Sequence, residues 1–211
     1  MSNIINSLQT SCYYDELFHI NKAEDRKFFL YGEIPSMHEY DCHVDICSAL
    51  GITERILHIN EEDVNISDPT KRKPIYIYIN SVGGDIHNGF ALVAAIEASK
   101  TPVYTVNIGM WASMAFYIGI AGHKRFSLQH MTFLLHEGYS GIIGATHQVQ
   151  DKATFDKKYE EGVVRSHVLK HSKLDSKQYE EIATREFYML PSEAKKLGFI
   201  DKIVDSLDVI V

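Results

Sequence analysis

The chain has 211 residues, 45% of them hydrophobic, with a formal net charge of −7. The hydrophobic share suffices for one packed core, and the negative balance excludes nucleic acid as the main partner, because no basic patch could dominate the field. No apolar run of about 18 residues is free of polar breaks, so no membrane span is expected.

Residues 1 to about 27 are mixed and polar, interrupted by Tyr13 and Tyr14, and read as an N-terminal arm. The opening Met-Ser-Asn-Ile-Ile-Asn lacks a basic segment followed by an apolar core, so no secretory leader is expected and the chain is assigned to the cytoplasm. Cys12, Cys42 and Cys47 have spacings that suit neither a disulfide framework nor a metal knuckle, and are read as reduced thiols. Phe28 to Ile34 reads as a short strand. Residues His43 to Ile59 carry apolar positions at helical spacing (Val44, Cys47, Leu50, Ile56, Leu57), and Glu61 to Lys73, charged and containing Pro69, reads as a loop.

Pro74-Ile75-Tyr76-Ile77-Tyr78-Ile79-Asn80 is the strongest strand signal, rich in β-branched and aromatic residues. It ends in Ser81-Val82-Gly83-Gly84-Asp85, and Gly89 to Ala98 follows as a helix. The unit repeats: Val103 to Ile108 as strand, then a turn at Gly109, then Ala112 to Ala121 as helix. Phe126 to Leu128 and Met131 to Leu135 read as further strands. Strands alternating with helices predict a parallel sheet covered on both faces, with both glycine-marked turns on the edge where open α/β sheets bind ligands. Ala145 to Lys170 carries a long helical pattern with one interior glycine, Gly162, and is expected to project toward another subunit. Asp175 to Ile182 and Pro191 to Gly198 read as short helices, the latter closed by its glycine, and Phe199 to Val204 as a last strand.

The segment Gly109-Met110-Trp111-Ala112-Ser113-Met114-Ala115-Phe116 presents a hydroxyl among small and apolar neighbours at the start of a helix, where free amides stabilise negative charge. That is the requirement of an acyl-transfer nucleophile. Read without further context, the same pattern also describes a small residue where a helix meets a sheet. Of eleven histidines, His136 stands apart because it follows the apolar Met131 to Leu135 and sits at a strand's C-terminal end. An imidazole base needs an orienting carboxylate, for which Glu137, Asp175, Glu180, Glu181 and Glu186 compete and periodicity does not choose. Gly83-Gly84 supplies a turn at which a main-chain N–H could face an oxyanion. No HExxH or paired Cys/His spacing indicates a metal; the phosphate-loop lysine, the dinucleotide fingerprint and the GxSxG elbow are all missing, and no cofactor is expected.

Taken in order, Phe28 to Ile34, Ile77 to Gly84, Gly109 to Met114, Ala121-Gly122-His123-Lys124-Arg125-Phe126, His136, and Ser192-Glu193-Ala194 through Gly198-Phe199-Ile200-Asp201 resemble the proteolytic subunit of the Clp protease, a serine peptidase enclosed by its own oligomer. The resemblance spans roughly residues 28 to 204. It implies an α/β spiral of β-β-α units shared with the crotonase superfamily, forming one domain over 28–211 with a helix-strand handle at about 138–170. It implies Ser113 as nucleophile, His136 as general base, and the amides of Gly84 and Met114 as oxyanion hole. It also implies Gly83, Tyr139, Ser140 and Gly141 as a substrate-binding rim, with Tyr139 to Gly144 as a strand that pairs with peptide backbone. Glu186 stands where the family has an aspartate, with Glu181 as a nearby rival; glutamate triads are known. Val82 replaces a usual proline, and Trp111 stands where a small or polar residue is common and is expected to narrow the cleft. The implied activity is endoproteolysis of unfolded polypeptides within stacked homo-oligomeric rings, with an ATP-dependent unfoldase as candidate partner. Rival readings are a phage-type head-maturation protease, a weakly active scaffold subunit and crotonase-like acyl-thioester chemistry.

Overall fold

The computed structural model describes residues 26–36, 48–139 and 141–210. The arm up to residue 25, the three cysteines, the start of the expected helix at His43 to Cys47, and Ser140 lie outside the described residues.

The apolar run after Pro74 forms the middle of the sheet for a simple reason: both of its faces are apolar. Strand β2 (Ile75–Gly84) lies between β1 (Lys27–Ile34) and β3 (Val103–Ala112), parallel to both. Ile75, Ile77 and Ile79 are fully buried on one face, in a core shared with Ile52 and Ile56 of helix α1 (Ala49–Glu62) and with Leu92 and Ile96 of helix α2 (Ile86–Ala98). Tyr76 and Tyr78 point the other way, into a second cluster with Val106, Phe126 and Val204. There Tyr78 stacks on Phe29 at 5.1 Å between ring centroids, and Tyr76 meets Tyr104 edge-on at 5.5 Å. A strand buried on both faces shows no polar alternation, as expected of a parallel sheet.

Strand β3 divides the sheet. Its first half, Tyr104 to Asn107, pairs with β4 (Lys124–Leu128); its second half, Met110 to Ala112, pairs with β5 (Thr132–Leu135). Both pairings are parallel. Strand β4 continues to β7 (Lys202–Val204), while β5 accepts the antiparallel β6 (Phe187–Met189). The α/β parallel sheet is therefore as expected, and β6 is an addition: three residues between polar neighbours carry too little periodicity to be read. Helix α3 (Met114–Ile120) is buried at every residue and packs on β2, β3 and α2. Strands β2 and β3 each run four residues further than the stretches read as strand, so the glycine pair and Trp111-Ala112 are extended backbone and α3 begins only after Ser113.

The long helical pattern forms α4 (Thr146–Tyr159), a π-turn at Glu160–Val164, and α5 (Arg165–Lys170). No residue of α4 is buried, whereas Val164, His167 and Val168 are packed into the protein. Tyr139 and Gly141 to Gly144 form no strand: Tyr139 and Ile143 are fully open to solvent, and an extended segment without a neighbouring strand leaves its backbone to water. Trp111 also departs from expectation. It is 0% exposed, packed edge-on against Phe133 at 5.4 Å and laid over Gly119, so it fills the core and does not narrow a cleft. Short helices α6 (Ser176–Ala183) and α7 (Pro191–Lys196) complete the fold, with Asp175 capping α6 through a 2.8 Å bond from the Gln178 amide.

One polar network ties the sheet's edge to α1. Arg26 donates to both carboxylate oxygens of Asp63 at 2.7 and 2.8 Å, Thr101 Oγ1 donates to Asp63 at 2.7 Å, and Arg26 also reaches the Lys73 carbonyl at 2.8 Å. Asp63 is 3% exposed. The hydrogen bonds from Arg26, outweighing the cost of burial and helped by Thr101, hold its carboxyl below the usual carboxylate value. Asp63→Ala leaves a half-buried guanidinium unpaired and is expected to cost about 3–5 kcal/mol in urea unfolding. Because the folded value is lowered, the carboxylate's contribution is complete above the unfolded value of about 3.9 and disappears as pH falls through the folded one. The gap between wild type and variant is therefore constant from neutral pH to about pH 5 and closes below pH 4.

Candidate active site

The site begins with strain at the end of β3. Ser113 has φ 53° and ψ −126°, a conformation that costs a non-glycine residue on the order of 1–3 kcal/mol. Neighbours on both sides impose it. The Ser113 amide donates to the Leu134 carbonyl of β5 at 3.0 Å, and its carbonyl accepts from the Phe116 amide at 3.0 Å, starting α3. Met114 is the first residue of that helix, so its N–H belongs to the amides a helix start leaves without an intrahelical acceptor. The Met114 side chain is buried flat against Gly89 of α2, where a Cβ would come within 2.1 Å of it. This contact holds the helix start against its neighbour.

The glycine pair of β2 presses on the same turn. Gly83 has φ +93°, and a Cβ there would stand 2.6 Å from the Ala112 oxygen, 2.7 Å from Ser113 Cβ and 2.8 Å from the Met114 nitrogen. Gly84, at φ +142°, abuts the backbone of Ile34 on the other side. The Gly83 N–H is taken by Ser81 Oγ at 3.1 Å, and that hydroxyl donates to the Gly32 carbonyl at 2.6 Å. Asp85 then caps α2, accepting from the Asn88 amide at 2.8 Å. The two turns predicted to share one sheet edge are in direct contact.

His136 is the first residue beyond β5, the strand beside β3, and is half-buried. Its carbonyl accepts from the Tyr117 hydroxyl of α3 at 3.3 Å, and its ring lies 5.5 Å from that of Tyr139. Burial raises the Tyr117 phenol well above its ordinary value, so it stays a neutral donor. Glu186 enters through the sheet. Strand β6 runs antiparallel to β5 with Leu134 opposite Tyr188 and Leu135 opposite Phe187. One more step of that register sets Glu186 opposite His136, at a spacing where Cβ atoms are typically about 5 Å apart. The Glu186 charge raises the exposed Tyr188 phenol.

Among the described residues, no hydrogen bond joins the side chains of Ser113, His136 and Glu186. Such bonds are often long in unliganded enzymes and tighten around substrate. The rival carboxylates have other surroundings: Asp175 caps α6, Glu180 pairs with Arg165 at 3.3 Å, and Glu137 and Glu181 are exposed. Of the expected substrate rim, Gly83 is buried beneath the turn while Tyr139 and Gly141 are exposed beyond His136. Sequence reasoning missed the Tyr117 brace, whose only signal is a tyrosine inside an otherwise apolar helix, and missed the ladder that carries Glu186.

Chemically, the arrangement sets a hydroxyl at a helix start, an imidazole on the adjacent strand end and a carboxylate across from that imidazole. The Clp protease family model matches residues 46–207 of the chain. The chain is similar to the ATP-dependent Clp protease proteolytic subunit 1 of Prochlorococcus marinus (strain MIT 9312), 30% identical over 163 residues that cover 75% of this chain and 78% of that protein. It is likewise similar to proteolytic subunit 2 of the ATP-dependent Clp protease of Treponema denticola, 36% identical over 135 residues, 62% of this chain and 66% of that protein.

The contact between Gly83 and the Ser113 turn leaves no room for a methyl group. Gly83→Ala is expected to cost at least about 2 kcal/mol, from the positive φ and the backbone overlap together. Gly138→Ala, two residues beyond His136 and with open space around it, is expected to match the wild type. Thermal melts of the two variants check both outcomes.

Proposed function

We propose that this chain, which belongs to the Clp protease family of serine peptidases, cleaves peptide bonds with Ser113, His136 and Glu186 as its catalytic triad. It is a proteolytic subunit of the ClpP type. Ser113 Oγ attacks the peptide carbonyl as His136 takes its proton. The amides of Gly84 and Met114 receive the oxyanion at the N-terminal end of α3, where aligned peptide dipoles favour negative charge. His136 then returns the proton to the leaving amine, and water, activated by the same imidazole, releases the acyl-enzyme. Glu186 holds the ring in the tautomer that keeps Nε2 free to accept. The observation that supports this reading is the strand order: Ser113 follows β3, His136 follows its neighbour β5, and Glu186 immediately precedes β6, whose ladder with β5 ends at Leu135 and Phe187. One methylene longer than aspartate, Glu186 must turn across the ladder to reach the ring.

The substrate is unfolded polypeptide, admitted as an extended strand. Among the described residues, Tyr139 and Gly141 to Gly144 pair with no strand, which leaves their backbone groups to take up a peptide just beyond His136. Helix α4, without a buried residue and with Phe155 half-exposed, is suited to packing between rings of a homo-oligomeric chamber. The relatives' description as subunits of an ATP-dependent protease extends here to an ATP-driven unfoldase as partner. A second reading, a weakly active scaffold subunit, draws on the missing hydrogen bonds between the three side chains.

A fluorophosphonate probe is expected to label the wild type and not Ser113→Ala; equal labelling overturns the assignment. Turnover of a fluorogenic peptide is expected to fall roughly 10²-fold or more in Glu186→Ala. Unchanged turnover removes Glu186 from the triad, and a wild type near background favours the scaffold reading.

A further inference from the structure

Behind the site, on the far side of α3, three chemically potent side chains converge without a role in the reading above. His167 and His171 are one turn apart on α5 and face Glu97 in the last turn of α2. One ligand atom from each of the three lies within 4.8 Å of the others. His171 Nε2 is 2.7 Å from Glu97 Oε1, and His167 Nδ1 is 3.4 Å from the same oxygen.

His167 is the informative member. It is 6% exposed, and its Nε2 lies 2.9 Å from the Tyr117 carbonyl. A carbonyl only accepts, so Nε2 carries the proton and Nδ1 presents its lone pair to a carboxylate oxygen. Two electron-rich atoms facing each other across 3.4 Å call for a cation between them. Lys170 supplies part of the charge from outside, with Nζ 3.0 Å from Glu97 Oε1. Burial works against ionisation of Glu97, yet the hydrogen bonds from His171 and Lys170 prevail and hold its carboxyl below the usual carboxylate range.

We propose that Glu97, His167 and His171 bind one divalent transition-metal ion of the zinc class, with water as the fourth ligand. Two imidazoles and a carboxylate are a borderline donor set that suits zinc over calcium or magnesium. Ligand atoms on a tetrahedral zinc, each about 2.1 Å from the ion, are roughly 3.4 Å apart, the separation His167 Nδ1 and Glu97 Oε1 already have. His171 opens slightly from its hydrogen bond, and Lys170, whose side chain is 61% exposed, swings into solvent as the ion replaces its charge. The bond from His167 Nε2–H to a backbone carbonyl is the outer contact that typically fixes a ligating ring. The ion would fasten α2 and α5 to the back of α3, the helix that starts at Ser113 and whose Tyr117 hydroxyl holds the His136 carbonyl.

The test is titration of the full chain, stripped with EDTA, with cobalt(II) followed by zinc(II). One cobalt per chain is expected, with the strong visible absorption of a tetrahedral site, displaced by one zinc. His171→Ala and Glu97→Gln, on the more exposed groups, are expected to weaken binding by roughly tenfold or more. Lys170→Met is expected to bind at least as tightly as wild type, and Ser113→Ala equally. Zinc raises the melting temperature of the wild type and not of His171→Ala. No stoichiometric cobalt binding by the wild type, or undiminished binding by both His171→Ala and Glu97→Gln, overturns the proposal whatever the peptidase assays give.

Discussion

The structure depends on one close approach, that of the Gly83 backbone to the turn at Ser113. Two parallel strands, β2 and β3, end side by side, and each must reverse into a helix at the same edge. The space between their turns is smaller than a methyl group. Glycine on one side therefore permits a strained serine on the other, and the strain is sustained by the Leu134 carbonyl and by the helix that Ser113 opens. Strain of this kind persists only where the surroundings over-determine it, and such places are commonly functional.

The surroundings here are unusually complete. Helix α3 is buried along its whole length, with Met114 against Gly89, Gly119 beneath Trp111, and Tyr117 joined to His136 on one side and His167 on the other. The hydroxyl of Tyr117 donates toward the proposed base, while its carbonyl accepts from the imidazole of the proposed metal site. One residue thus connects the front and back of α3. In a core packed at crystal-like density, displacement at either end has nowhere to dissipate.

How far the chain could be read without coordinates follows from how local each signal is. The isoleucine-tyrosine run of β2 is signalled by adjacent residues and stands where it was expected, whereas the turns expected at Gly83-Gly84 and at Gly109 are extended strand, and the reversal after β3 falls at Ser113. Trp111 was misread because its neighbours suggested a turn near a cleft, whereas the strand runs on through Ala112 and turns the indole inward onto Gly119 and Phe133. Tyr139 to Gly144 was read as a strand, yet strand formation requires a partner, and among the described residues Tyr139 and Gly141 to Gly144 have none. The proposed orienting carboxylate was the hardest to read: five candidates had equal local merit, and only the pairing of β5 with β6, which ends at Leu135 and Phe187, brings the segment of Glu186 beside that of His136.

By itself, the order of residues determined the alternation of strand and helix, the parallel sheet buried on both faces and the identity of a hydroxyl at a helix start, because hydrophobic period and turn chemistry act over a few neighbouring residues. Tertiary structure decided which distant groups meet. The β5–β6 ladder, ending at Leu135 and Phe187, brings the segments of His136 and Glu186 side by side, Gly83 is driven against Ser113 through strand adjacency, and Glu97 is drawn to His167 and His171 through helix packing. Those meetings depend on the relative placement of whole elements, a quantity set by the collective packing of the core and absent from any local stretch of chain.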